Sequence, residues 1–250
     1  MIWAITQNEL KRIWYSPIAW VLFSVALLVL GLLLLILLNN FYAEVQDKLV
    51  GLERAPGLTD LVIAPFMFWV AVVGIILVPL FAVRSSTEER HFGSHILLGS
   101  APISAKQIVF GKYFALMLIA LLFTLICCSY ALVLGHFTPI DYGKTLAGML
   151  AVFLTISSFN SVALYIANLT STPIIATAGI LGALLIMVML YLSGSATASS
   201  SELFLYLTNF SHLTNLISGS IDTEHIAYFL LFAILFLFLC VRRLQLENIS

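Results

Sequence analysis

Charge is what this chain has least of. Only 9% of its 250 residues are Asp, Glu, Lys or Arg, where soluble domains carry about 25%. Hydrophobic residues make up 62%, and mean hydropathy is +1.09. A core cannot hide this much apolar surface from water, so a soluble globular fold is excluded and an integral membrane protein is implied. The net charge of −1 singles out no polyanionic partner, so no nucleic acid is expected. Cysteine is also scarce. Cys127, Cys128 and Cys240 lie in apolar runs without paired or metal-site spacing, which excludes a disulfide framework. A phosphate loop is missing too. Gly143-Lys144-Thr145 ends like one, but the pattern needs a glycine at position 138, where Thr138 stands. The chain is therefore not expected to be an ATPase, nor to bind a cofactor of its own.

Long apolar runs are what it does have. A bilayer core of about 30 Å takes roughly 20 apolar residues per helix. Six segments qualify: Ile18–Leu38, Leu61–Val83, Tyr113–Gly135, Leu146–Leu169, Pro173–Leu192 and Ile226–Val241. The runs are continuous rather than alternating, which favours helices over a barrel. The first run follows Pro17 with no small-residue cleavage site behind it, so a retained span is expected. The last is short and predicts a helix that starts earlier or a locally thinned membrane. With the N-terminus inside, the basic residues Lys11, Arg12, Arg84, Arg90, Lys106, Lys112, Arg242 and Arg243 face the cytoplasm, and Lys48, Arg54 and Lys144 face out. That 8-to-3 split sets the expected orientation, with both termini cytoplasmic.

Between the spans the residue pattern changes. The stretch "MIWAITQNELKRIWYS" groups Trp3, Leu10 and Trp14 near one helical face, with Gln7, Asn8, Lys11 and Arg12 elsewhere. This predicts an amphipathic interfacial helix over residues 1–16. Residues 193–225 begin rich in Ser, Gly and Ala, then repeat Leu203, Tyr206, Phe210, Leu213 and Leu216 near a helical period. One or two short external helices are expected there, on or dipping into the outer leaflet.

Few residues suggest chemistry. His91 and His95 are spaced for a metal on one helix face, but Gly93 lies between them and no third ligand is near, so no metal is expected. His136, His212 and His225 stand alone in external loops. No Asp, Glu, Lys or Arg falls inside the six spans, which argues against an ion-coupled carrier or an intramembrane enzyme. The fourth span carries "TISSFNS", with Thr155, Ser157, Ser158, Asn160 and Ser161. Two readings stay open for these residues: helix packing, and the lining of a substrate path.

The cytoplasmic segment 84–112 is built for docking rather than catalysis. Ser85, Ser86 or Thr87 predicts a helix cap, with Glu88 and Glu89 in the first turn where the dipole favours acids. Ile96, Leu97 and Leu98 form an apolar patch, and Gly99 and Pro102 predict the helix end. A second helix is expected through Ile108 and Lys112 into the third span.

The stretch "EERHFGSHILLGSAPISAKQIVFGKYFA" resembles the cytoplasmic segment of type-2 ABC transporter permeases. The similarity rests on Glu88-Glu89, Gly93, Leu97-Leu98, Pro102-Ile103-Ser104 and Gly111-Lys112. Within that family the chain is most similar to the gliding-motility-associated permease type. It departs from the frequent Gly-Thr before the leucine pair, having Gly93-Ser94 followed by His95.

The resemblance implies an all-α polytopic protein, one permease domain over residues 1–250, with a coupling helix between spans two and three. It implies an ATP-driven exporter subunit of the bacterial inner membrane. A cytoplasmic subunit that binds ATP and Mg would dock on Glu88, Glu89, Arg90, Gly93, Leu97, Leu98 and Pro102. A second permease copy or a related one would complete the pore, with room for a periplasmic accessory subunit. A second reading stays open: a membrane anchor that passes ATPase work to periplasmic partners and moves no substrate.

Overall fold

The computed structural model describes residues 1–45, 57–91, 104–196, 206 and 208–247. Among these the chain is helical, with no strand. Six helices are long and apolar enough to cross a membrane: Pro17–Ala43, Thr59–Arg84, Ala105–Leu134, Tyr142–Ala167, Pro173–Ser193 and Thr223–Leu246. The all-α, six-span architecture expected from the apolar runs is the one observed, and the last span is a full-length helix that starts earlier than its apolar run.

Helix α1 covers Ile2–Trp14. Pro17 opens α2, Pro17–Asn40, at a position whose missing N–H is not needed. A π-helical turn at Phe41–Val45 ends it. A second π-helical turn, Thr59–Ile63, leads into α3, Ala64–His91. Helix α4, Ala105–Leu134, begins with a full capping box. The Ser104 hydroxyl accepts from the Gln107 amide, and the Gln107 side chain accepts from the Ser104 amide. Helix α5, Tyr142–Ala167, is capped by Asp141, whose carboxylate accepts from the Gly143 and Lys144 amides. The Gly-Lys-Thr triplet is thus an ordinary helix start. Helix α6 is Pro173–Ala196, α7 is Asn209–Ile217 and α8 is Thr223–Glu247.

Helix α5 is the axis of the bundle. It packs against α3, α4, α6, α7 and α8, and 67% of its span is buried, against 17% for α2 and 11% for α6. Its small residues explain why. Ala151, Thr155, Ser158, Ser161 and Ala163 let neighbours approach closely on every side. On α3, a Cβ at Gly74 would collide with Ile156 of α5, so a glycine is what the tight α3–α5 crossing needs.

Two expectations are corrected. The segment after the second span does not restart at Ser85–Thr87. Helix α3 runs unbroken to His91, and the Thr87 hydroxyl, fully buried, donates back to the Val83 carbonyl within that helix instead of capping a new one. The charge-free view of the spans also changes. Helices extend past their apolar runs by several residues, because backbone hydrogen bonding does not stop where hydropathy does. Helix α4 therefore starts at Ala105 and takes in Lys112, which is buried.

Candidate docking segment and intramembrane polar cluster

The predicted docking residues divide between the described and the undescribed chain. Glu88, Glu89 and Arg90 lie in the last turns of α3. Gly93, Leu97, Leu98 and Pro102 lie outside the described residues. What the structure does show is how both roots of the segment are held.

On the α3 side, the Arg84 guanidinium donates to the Ser16 hydroxyl at 2.6 Å. Ser16 is the N-cap residue of α2 and makes no capping bond with its own helix, which leaves its oxygen to accept from α3. On the α4 side, α1 lies against the first turns of the helix. The Thr6 hydroxyl reaches the Gly111 carbonyl at 3.0 Å, and the Glu9 carboxylate meets the Lys112 ammonium at 3.6 Å. Both charged side chains are nearly buried, at 5% and 8% exposed. A Cβ at Gly111 would stand 2.7 Å from Ile5, so glycine is what permits this approach. Gly111-Lys112 thus has a local reason: the glycine admits α1 and the lysine ties it down.

Sequence reasoning missed this tie. The signal was there, since Glu9 is the only acid in residues 1–16. The helix turns its polar Thr6 and Glu9 to the protein and leaves Trp3 and Trp14 exposed. That is the reverse of a soluble amphipathic helix and suits a membrane interface, where the outward face meets lipid.

The fourth-span cluster is entirely buried: Thr155, Ser157, Ser158, Asn160 and Ser161 are each 4% exposed or less. Three of the hydroxyls donate to their own helix, Thr155 to Ala151, Ser158 to Thr155 and Ser161 to Ser158. Beyond that helix, the Asn209 amide donates to the Ser158 hydroxyl at 2.9 Å, and the Tyr228 hydroxyl donates to the Asn209 carbonyl oxygen at 2.9 Å. The Tyr113 hydroxyl reaches the Ser157 carbonyl. The Asn160 carboxamide and the Ser157 hydroxyl have no hydrogen-bond partner among the described residues.

Asn209 opens α7, which therefore does not merely lie on the surface of the bundle. Ser158 is about 24 Å along α5 from Tyr142, while Gly219, just past the end of α7, sits against Lys144. Helix α7 runs from the buried Ser158 of α5 toward the end of the bundle that holds Lys144. Its apolar positions Phe210, Leu213 and Leu216 are buried, as their spacing predicts.

Two histidines pair where α7 meets the start of α8. His212 of α7 and His225 of α8 face each other through their Nδ1 atoms at 2.8 Å. His212 Nε2 contacts the Tyr206 carbonyl, which only accepts, so Nε2 carries the hydrogen and the neutral ring accepts at Nδ1 from His225. The His212 ring also stacks on Tyr228 at 4.0 Å. Neither histidine is the isolated loop residue that spacing implies. Among the described residues no group of three His, Cys, Asp or Glu side chains is placed to hold a metal.

A family model described as ABC-2 family transporter protein matches residues 58–242, well over half of the chain. The chain belongs to the ABC-2 transporter family. An ABC-2 permease is the transmembrane component of an ABC transporter and works with a separate ATP-binding subunit. No curated protein matches the sequence. Six apolar helices together with the family make this a multi-pass membrane permease.

Proposed function

We propose that this ABC-2 permease is the membrane subunit of an exporter of the bacterial inner membrane, with both termini cytoplasmic and the gliding-motility-associated type its closest subgroup. An ATP- and Mg-binding subunit docks on the segment that begins at Glu88, Glu89 and Arg90, and a second permease copy or a related one completes the pore. The observation that carries the reading is the clamping of both roots of that segment. Arg84 ties α3 to Ser16, and Lys112 ties α4 to Glu9. Force delivered between residues 91 and 104 then enters two spanning helices and α1 together, instead of being lost in a slack loop. ATP binding must favour one arrangement of the docked pair over the other for this to do work.

The basic residues support the orientation. Arg84 and Lys112 lie at the end of the bundle that carries α1, and the Lys144–Asp60 pair lies at the other. The buried polar residues Thr155, Ser158, Asn160 and Ser161 serve helix packing around α5, and Ser158 accepts from Asn209 of α7.

The test is co-purification with an ATP-binding subunit co-expressed with this chain. Glu88→Lys with Glu89→Lys is expected to lower recovery of that subunit at least tenfold while the permease still inserts. Unchanged recovery sinks the docking assignment.

A further inference from the structure

We infer that His212 of α7 and His225 of α8 form a binding site for one divalent late transition metal ion, seated between their Nδ1 atoms and stapling α7 to α8. The two Nδ1 atoms already face each other at 2.8 Å, with the ring centres 5.0 Å apart. The residues are 13 apart in sequence, so no ligand spacing on one helix announces them.

The placement of hydrogens shows why a cation belongs there. The His212 Nε2 lies 2.9 Å from the Tyr206 carbonyl, which only accepts, so that nitrogen carries the hydrogen and Nδ1 presents a lone pair. The His225 Nε2 lies 4.0 Å from the Asp222 carboxylate, another acceptor. A neutral His225 has a single hydrogen for both of its nitrogens. On Nδ1 that hydrogen satisfies His212 and leaves a bare Nε2 toward the carboxylate. On Nε2 it suits the carboxylate and sets two lone pairs against each other across the 2.8 Å gap. A cation between the Nδ1 atoms removes the conflict, because each ring then keeps its hydrogen on Nε2 for its own oxygen acceptor. Metal-binding imidazoles are held in this way, with one nitrogen on the ion and the other donating to a carbonyl or a carboxylate.

The geometry is close to what an ion needs. Two nitrogens bound tetrahedrally to Zn²⁺ at about 2.0–2.1 Å stand roughly 3.3 Å apart, so the pair must open by about half an ångström. His225 is the ring that turns, since its side chain is 12% exposed, while His212 is buried and stacked on Tyr228. Asp222 and Glu224 are exposed beside the pair and draw cations to it. Among the described residues no third side chain is placed on the ion, so water completes its shell.

The ligand type selects the class of metal. Imidazole suits Zn²⁺, Cu²⁺ and Ni²⁺, whereas Mg²⁺ and Ca²⁺ call for oxygen ligands. Helix α7 also carries Asn209, which is bonded to Ser158 of α5. A metal that joins α7 to α8 therefore fixes α7 against α5 as well.

The test uses the full chain in detergent, purified without a polyhistidine tag, washed with chelator and titrated with ZnCl₂ or MgCl₂ by calorimetry. The wild type is expected to bind one Zn²⁺ with Kd on the order of 10 μM, since it has two protein ligands rather than the four of a structural site, and to ignore Mg²⁺. His225→Gln is expected to lower the affinity roughly 30-fold, and Asp222→Ala, which removes only the outer carboxylate, about tenfold. His91→Gln with His95→Gln leaves it unchanged. Because His212 is buried and its replacement can disturb folding, the ligand count is read on bound Cu²⁺ by electron paramagnetic resonance. Two imidazole nitrogens are expected in the wild type and one in His225→Gln. Zn²⁺ should also slow amide exchange in α7 severalfold, and do so only while His225 is present. Absence of Zn²⁺ binding by the wild type overturns the proposal and leaves a proton alone to complete the pair. Wild-type affinity in His225→Gln, or Mg²⁺ bound as tightly as Zn²⁺, overturns it too.

Discussion

A buried ion pair in a membrane protein is expensive unless both partners stay. Glu9 and Lys112 are therefore better tested by removing one than by removing both. Lys112→Met is expected to destabilise the chain by about 3 kcal/mol, the low end for a broken buried pair because the contact is 3.6 Å. Exchanging the two charges, Glu9→Lys with Lys112→Glu, is expected to recover most of that loss. Thermal denaturation in detergent reads both, and a silent Lys112→Met would mean that the pair holds nothing. His212 makes a second prediction at this scale. Burial holds it below the ordinary histidine range, the Tyr206 carbonyl opposes, and His225 adds to the lowering. Charges near it come from Glu224 and His225, with Asp222 beside His225, while Tyr206 and Tyr228 pack on the ring. The unfolded chain thus binds a proton where the folded one does not. The α7–α8 contact is at full strength above about pH 6.5 and weakens as pH falls below it. Amide exchange in α7 should accelerate between pH 7.5 and 5.5, and His212→Gln should flatten the dependence. A wild-type exchange profile without that slope, after correction for intrinsic rates, contradicts the assignment.

Among the elements, α5 and α7 carry the most instructive contact. Three-residue spacings such as Thr155, Ser158 and Ser161 keep small hydroxyl residues on one face, and that face receives α7 through Asn209. Intramembrane hydrogen bonds average only about 0.6 kcal/mol, so Ser158→Ala should be nearly silent. Bulk is different, because Ser158 is 1% exposed and leaves no room. Ser158→Leu is expected to displace α7, to lower transport or recovery of the assembled permease severalfold, and to expose Asn209 to exchange. If Ser158→Leu behaves like Ser158→Ala, α7 is not seated where the geometry puts it. Helix α1 follows the same steric logic, with Gly111 the position where any side chain would press on Ile5.

The whole molecule tests orientation. All three cysteines are buried, so a cysteine-free background with Ser104→Cys or Ser220→Cys is practical. Ser104 and Ser220 are exposed and lie beyond opposite ends of the bundle. An impermeant thiol reagent is expected to label Ser220→Cys from outside intact cells and to reach Ser104→Cys only after lysis. The reverse pattern inverts the topology, and labelling of both from one side breaks the six-span arrangement.

Sequence alone determined the number and type of elements, because hydrocarbon forces every spanning segment to satisfy its own backbone and apolar length then reads directly as helix. It also determined the apolar positions of α7, since a helical period is local. It did not determine where helices end. Backbone hydrogen bonds carried α3 to His91 through the Ser85–Thr87 cap signal. Nor did it show that Glu9 meets Lys112, that Asn209 meets Ser158, or that His212 meets His225. Each joins residues from different helices, and which helix faces approach is decided by side-chain size at positions such as Gly111 and Ser158. Only the packed bundle shows what those small residues admit.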